Sequence, residues 1–275
     1  MIYLNKPITK IQEVRLVQAI TDLNITVFVP AEEAYKFSLL QKKFNMDIKI
    51  GYFEGIKFSD ICVIDHSTPK TKIFNIERTL IFPKSITNYL KNEWLQEKEI
   101  MFSFVGSINY KRKKRIEHWL TSNFNKKYTL SNESTLYKKT LRKLKYYLRL
   151  DYTSKKNYGD LLLWSSSKGR KFPIKAWDSD YFNILLNSKF VLCPSGDFIW
   201  TYRFFEAILC GSIPIIEEYC DAYSGFRFFY MDDDIKKIRW DEKDALFNYN
   251  LCRDRITISS ARLKSELKVF LELDS

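Results

Sequence analysis

The chain has 275 residues, 45% of them hydrophobic, with a formal net charge of +12. That apolar share supports one large or two small cored domains and excludes a fold that depends on staples. The charge admits a polyanionic partner, a membrane surface or small phosphorylated ligands, and composition does not choose among them. The five cysteines (Cys62, Cys193, Cys210, Cys220, Cys252) lie in or beside apolar segments. They show neither CxxC nor His-paired spacing, so buried reduced thiols are expected, not a disulfide or zinc framework. The N-terminal stretch is interrupted by Pro7, Glu13 and Arg15 and lacks the apolar run of a signal peptide. No later stretch reaches membrane-spanning length, and a soluble cytoplasmic protein is expected.

In chain order, "KIQEVRLVQAI" at 10–20 has helical spacing, "ITVFVP" reads as a buried strand ended by Pro30, and "AEEAYKFSLLQKKF" at 31–44 resumes the helical period. "MDIKIGYF" and "SDICVIDHS" read as strands, the second running into a polar cluster and Pro69. Strands alternating with helices imply an α/β sandwich with a largely parallel sheet. A polar helix at 85–98 carries the expected boundary, placed near residue 95, between domains 1–95 and 96–275.

The second series opens with "EIMFSFVGS", a strand that delivers Gly106 and Ser107 to a sheet edge, followed by the helix "YKRKKRIEHWL". In "LYKKTLRKLKYYLRL" at 136–150, Tyr137, Leu141, Leu144 and Leu148 form one helical stripe, read as a solvated cationic helix. No specific nucleic-acid partner is expected from it. "DLLLWSSSKGRKFP" reads as a strand and a glycine-containing loop without P-loop spacing, and "DSDYFNILLNS" as a short helix. Trp164 and Trp177 read as core, Trp200 as a residue that could stack on a ligand, and His118 as packed or exposed. "MDDDIKK" at 231–237 reads as an acidic helix start and not as a metal motif. "ISSARLKSELKVFLEL" forms a final helix, expected to pack back on the N-terminal domain.

The most informative stretch is "KFVLCPSGDFIWTYRFFEAILCGSIPII" at 189–216. A continuous apolar strand stops at Pro194, a loop follows with Ser195 and Gly196, a helix opens at Arg203, Gly211 ends it, and a second strand follows. Such a βαβ unit puts its loop at the carboxyl edge of the sheet, where open α/β sheets bind ligands. The helix dipole, its unpaired amides and Arg203 together favour an anion such as a diphosphate. Glu206, three residues on, could accept hydrogen bonds from two ribose hydroxyls. The spacing equally allows a surface Arg203–Glu206 pair worth about 0.2–0.5 kcal/mol.

This stretch resembles the donor-site signature of the exostosin-like glycosyltransferases, glycosyltransferase family 47. That signature has a strand ending Cys-Pro-Ser-Gly, then Arg-x-x-Glu-Ala on a helix, then Gly-x-x-Pro on the return. "IMFSFVGS…KRKKRIEHWL" is similar to the family's aromatic strand, glycine and Arg-bearing helix. Thr201-Tyr202 stands where members often carry Ser-Pro, which leaves the helix start open.

The resemblance implies a GT-B architecture of two Rossmann-like domains facing across a cleft, with an abridged N-terminal one. It further implies an inverting, metal-independent transfer from a nucleotide sugar, most simply a UDP-sugar, to a hydroxyl of a glycan acceptor, with no cofactor. By that likeness Glu206 binds the ribose, Arg203 the diphosphate, and Ser195 and Gly196 form the donor loop. Gly106 and Ser107 border the phosphates, with Arg112 or Arg115 assisting. An inverting reaction needs a base on the face opposite the leaving group. Asp65 is ranked first and His66 second, from their position at a strand end and a loose match to the family. The bland reading of Asp65 is a carboxylate that caps a turn. A reading from another class is a non-catalytic carbohydrate- or polyanion-binding protein on the same fold.

Overall fold

A computed structural model describes residues 1–124, 127–130, 140, 144, 153–166 and 176–273. The cationic stripe at 136–150 lies almost entirely outside the described residues, as do Lys168 and Arg170 of the glycine-containing loop. The fold is α/β, and the chain divides into two compact units. One comprises Met1–Asn92, Lys171–Trp177 and Asn250–Ser275, the other Glu93–Arg170 and Asp178–Tyr249.

In the first unit, β1 (Ile2–Tyr3), β2 (Val27–Val29), β3 (Ile48–Ile50) and β4 (Ile56–Lys57) form a parallel sheet of order β3-β2-β1-β4. Helix α1 (Ile11–Thr21) is buried almost all round, with Val14, Val17 and Ile20 wholly so. Glu13 accepts the Thr9 and Lys10 amides at 2.8 and 3.0 Å, satisfying two amides at the helix entry. The expected helix at 31–44 is two helices, α2 (Ala31–Ala34) and α3 (Ser38–Phe44). Lys36 turns inward there to Ile8 O at 2.5 Å and to Glu33, Phe37 is wholly buried, and i→i+3 bonds tighten the chain between the helices.

The expected strand at 59–67 is also split. A single turn, α4 (Phe58–Ile61), precedes β5 (Cys62–Asp65). That strand belongs to a separate antiparallel sheet with β6 (Lys70–Ile73) and β7 (Ile76–Arg78), not to the parallel one. Helix α5 (Lys84–Asn92) follows.

The second unit is a six-stranded sheet of order β13-β12-β11-β8-β10-β9. Its strands are β8 (Ile100–Ser107), β9 (Thr153–Tyr158), β10 (Leu161–Ser166), β11 (Ser188–Cys193), β12 (Ile213–Ile216) and β13 (Phe229–Tyr230). Every pairing is parallel except that of β9, an edge strand paired antiparallel to β10. From Phe190 on, β11 reads as an unbroken apolar run, as β12 does throughout, because both faces are covered, and the two strands are buried almost throughout.

Helix α6 (Tyr110–Phe124) lays Ile116, Trp119 and Leu120 onto Phe102, Phe104, Phe190 and Leu192. Further helices among the described residues are α7 (Ser179–Leu186), capped by Asp178, α8 (Tyr202–Leu209), α9 (Glu242–Ile256) and α10 (Ser260–Leu273). Trp164 and Trp177 are buried, His118 is exposed, and Trp200, read from sequence as a stacking residue, is buried too, with its ring edge-on to Tyr202. Of the five cysteines none is paired, and all but Cys220 are buried.

The segment 231–237 is a run of turns, not a helix. Asp233 accepts the Tyr230 amide and Asp234 the Lys236 amide, so the acidic side chains hold turns instead of opening a helix. Among the described residues no helix is long and apolar enough to cross a membrane.

Trp119 is 1% exposed and meets Phe102 edge-on at 5.1 Å. Trp119→Ala is expected to cost about 3–5 kcal/mol of unfolding free energy. Urea denaturation followed by circular dichroism would read this as a lower midpoint at constant slope.

Candidate functional site

Four segments of the second unit converge where β8 and β11 end. Strand β8 ends at Gly106 and Ser107, the first turn of α6 brings Arg112, the loop after β11 carries Ser195 and Gly196, and α8 brings Arg203 and Glu206. The loop-to-helix turn is fixed from two sides. Thr201 caps α8, its Oγ1 accepting the Phe204 amide, and the Thr201 amide donates to Tyr223 Oη at 2.8 Å. Tyr223 in turn stacks on Phe204 with ring centroids 3.8 Å apart. The helix therefore begins at Tyr202, with Thr201 supplying the capping oxygen expected of such a start.

Arg203 points back across the end of β8. Its Nε donates to Val105 O at 2.6 Å, and its guanidinium lies over the Phe104 ring at 4.4 Å. Gly106 has φ 150°, and a Cβ there would overlap that guanidinium. Arg112 approaches from the other side, its Nε donating to Ser195 O and its Nη1 to Ser107 O, both at 3.2 Å. A Cβ on Gly196 would overlap Arg112 in the same way. Each glycine thus clears the backbone for one arginine.

Burial pushes the Arg112 guanidinium down to about 10, and the neighbouring Arg203 charge pushes the same way. Two cations held together in a part-buried site repel each other and lose hydration, so the site favours an anion between them. Two donors point to the same need. Arg203 Nη1 and Ser195 Oγ are buried with no hydrogen-bond partner among the described residues.

Carboxylates hold the surroundings. Glu217, just past β12, accepts the Ser195 amide at 3.0 Å and lies 3.6 Å from Arg115. Arg115 also pairs with Asp232 at 2.8 Å, so this arginine is engaged by acids where Arg112 is bonded to backbone carbonyls. Glu206 is 1% exposed and accepts a 2.5 Å bond from Tyr181 Oη. Sequence reasoning missed Tyr181 and Glu217. The signals were an aromatic residue in the first turn of α7 and an acid one residue beyond an apolar strand.

Asp65 and His66 lie in the first unit. Asp65 ends β5, where its carboxylate accepts the Ser67 amide and hydroxyl at 2.8 and 2.6 Å and the Thr68 hydroxyl at 2.6 Å. These bonds, the Ser67 hydroxyl first, hold it well below the usual carboxylate range. It caps the β5–β6 turn. His66, half-buried, is shifted below 6.5 by burial and then by Lys10, so it is neutral at pH 7. Among the described residues no group of three or more His, Cys, Asp or Glu could hold a metal ion.

Gly106→Ala places a Cβ against Arg203 in a backbone conformation that L-residues rarely adopt, and is expected to cost about 1–3 kcal/mol. A fall of several degrees in Tm, larger than that of an exposed Ala substitution such as Lys111→Ala, would report it.

A family model, that of the Exostosin GT47 domain, matches residues 61–223. That span contains the β8 edge, both arginines and both glycines. No curated protein matches the chain.

Proposed function

The chain belongs to the exostosin GT47 family of glycosyltransferases, enzymes that transfer a sugar from a donor to a glycan acceptor, and from that premise we propose that it moves the sugar of a UDP-sugar to an acceptor hydroxyl with inversion and without a metal ion. The observation that carries this reading is the pair of guanidiniums, Arg112 packed on Gly196 and Arg203 on Gly106, beside Arg203 Nη1 and Ser195 Oγ, which have no partner among the described residues.

A nucleoside diphosphate presents the charge that this arrangement lacks. Its phosphates take the Arg203 Nη1 and Ser195 Oγ donors and the amides at the start of α8, with Arg112 screening the second charge. As the glycosidic bond breaks, negative charge grows on the leaving diphosphate, and fixed cations stabilise it more than they stabilise the bound donor. That stabilisation is the electrostatic work a metal ion would otherwise perform. Glu206, oriented by Tyr181, takes the ribose hydroxyls at the floor of the site, and the uridine assignment rests on the likeness to the family.

Inversion requires a base to remove the acceptor proton. Of the two candidates His66 is the better suited. It is neutral at pH 7 and can accept a proton, whereas the Asp65 carboxylate is saturated by turn hydrogen bonds.

Arg112→Ala is expected to weaken UDP binding by about ten-fold or more, the loss of one charge-assisted contact. Calorimetric titration of UDP checks this, and unchanged affinity would remove the diphosphate role. Release of UDP from a UDP-sugar in the presence of acceptor should persist in EDTA, and an α-linked donor should give a β-linked product by proton NMR.

His66→Gln is expected to lower kcat by about 10²-fold or more, and Asp65→Asn by much less. With His66 as base, kcat/KM falls on the acid side with a midpoint below 6.5, because protonation removes the acceptor lone pair. A flat profile through that range would assign the base elsewhere.

A further inference from the structure

We propose that the first unit carries an anion-binding site of its own, a cavity of about 520 Å³ at β7, α5, α9 and α10, for a small ligand bearing at least two phosphate- or carboxylate-type groups. The site stands independently of the donor reading. Its lining includes Arg78, Lys84, Arg253 and Arg262, against one acid, Asp254. Asp254 is taken by Arg253, with Nη2 at 3.1 Å and Nε at 3.2 Å. Lys84 also feels the Asp22 carboxylate, which is bonded to the Ser85 amide and hydroxyl. Arg78 and Arg262 meet no other carboxylate in the lining.

Three further observations point the same way. Arg78 Nε is buried with no hydrogen-bond partner among the described residues, and its Nη1 makes only a 3.3 Å contact with the adjacent Glu77 carbonyl. A bound oxyanion supplies the acceptor that this buried donor lacks. Two helices begin at the cavity. Lys84 is the first residue of α5, and Ser259 caps α10 by accepting the Arg262 amide at 3.3 Å. Their positive ends add to the side-chain charge, while the C-terminal end of α9 is matched by Arg253. The volume lies within the range of small-ligand pockets and is larger than one phosphate needs. That size is the reason for assigning at least two anionic groups. Arg253 and Arg262 are exposed, so a ligand reaches them from solvent.

The test is calorimetric titration of inorganic pyrophosphate into the full chain with saturating UDP present, so that the second unit's arginines are occupied. The expected result is one binding event that weakens about ten-fold or more in Arg253→Ala/Arg262→Ala and is unchanged in the exposed control Lys236→Ala/Lys237→Ala. Both arginines of the first pair are exposed, so the variant folds, and an unchanged Tm verifies it.

Absence of pyrophosphate binding, or equal affinity in the double variant, overturns the site. If UDP does not bind, the donor reading fails, while the loss in the double variant still reports the cavity. A galacturonic acid trimer distinguishes the sources. Competition with pyrophosphate supports the site as a seat for the acidic end of a glycan, and binding of pyrophosphate alone supports it as a seat for a free small anion.

Discussion

The second unit is organised by a repulsion. Arg112 and Arg203 carry like charges into one part-buried corner, and the surrounding backbone is arranged so that each is held despite the other. Val105 O, Ser107 O and Ser195 O accept from them, the Phe104 ring lies under one, and two glycines make the approach possible. A corner built only for stability gains little from this arrangement, since separated arginines would keep their hydration. The energy stored in the juxtaposition becomes useful when an anion arrives. The order of the parts in the chain follows from that requirement: strand ends deliver glycines, and the next helices deliver cations.

The carboxylates around this corner serve a different purpose from metal binding. Glu217 secures the Ser195 amide and, with Asp232, engages Arg115. They set the loop and one flanking cation, and Glu217 offsets only part of what burial and Arg203 impose on Arg112. Tyr181 does the same for Glu206, reaching from α7 to α8 to fix a carboxylate that has almost no contact with solvent. The site is therefore rigid by virtue of partners drawn from separate elements, as a preorganised electrostatic environment requires.

How much of this was legible in the sequence depends on the range of the interaction. The run from β11 through α8 to β12 is local, with an apolar strand, a capped helix and a terminating glycine, and its elements lie where periodicity puts them. Tyr181 and Glu217 are far from their partners in sequence, and the local signals they carry, an aromatic residue in the first turn of a helix and an acid just past an apolar strand, do not name those partners. Strand β9 reads "TSKKNY", polar because it is an edge, and so carried no apolar alternation. Helix α9 buries Ala245, Asn248, Tyr249, Cys252 and Ile256, a face too mixed to register as an apolar stripe. The turn after Asp65 was the instructive failure. The strand core, Cys62–Asp65, falls within the expected run, but its membership of an antiparallel sheet depends on a hairpin whose residues, His66 to Pro69, include none of the Asn-Gly or Asp-Gly pairs that usually announce one.

The two rims of the six-stranded sheet are unlike. One is β13, only two residues long, and the other is β9, where Lys155 and Lys156 are exposed on opposite faces. A short rim offers little ladder for another chain to extend, and a polar rim with an exposed lysine on each face is a poor template for pairing. A sheet whose inner strands are apolar on both faces is thereby protected from stacking end to end into fibrils, at the cost of a few exposed charges.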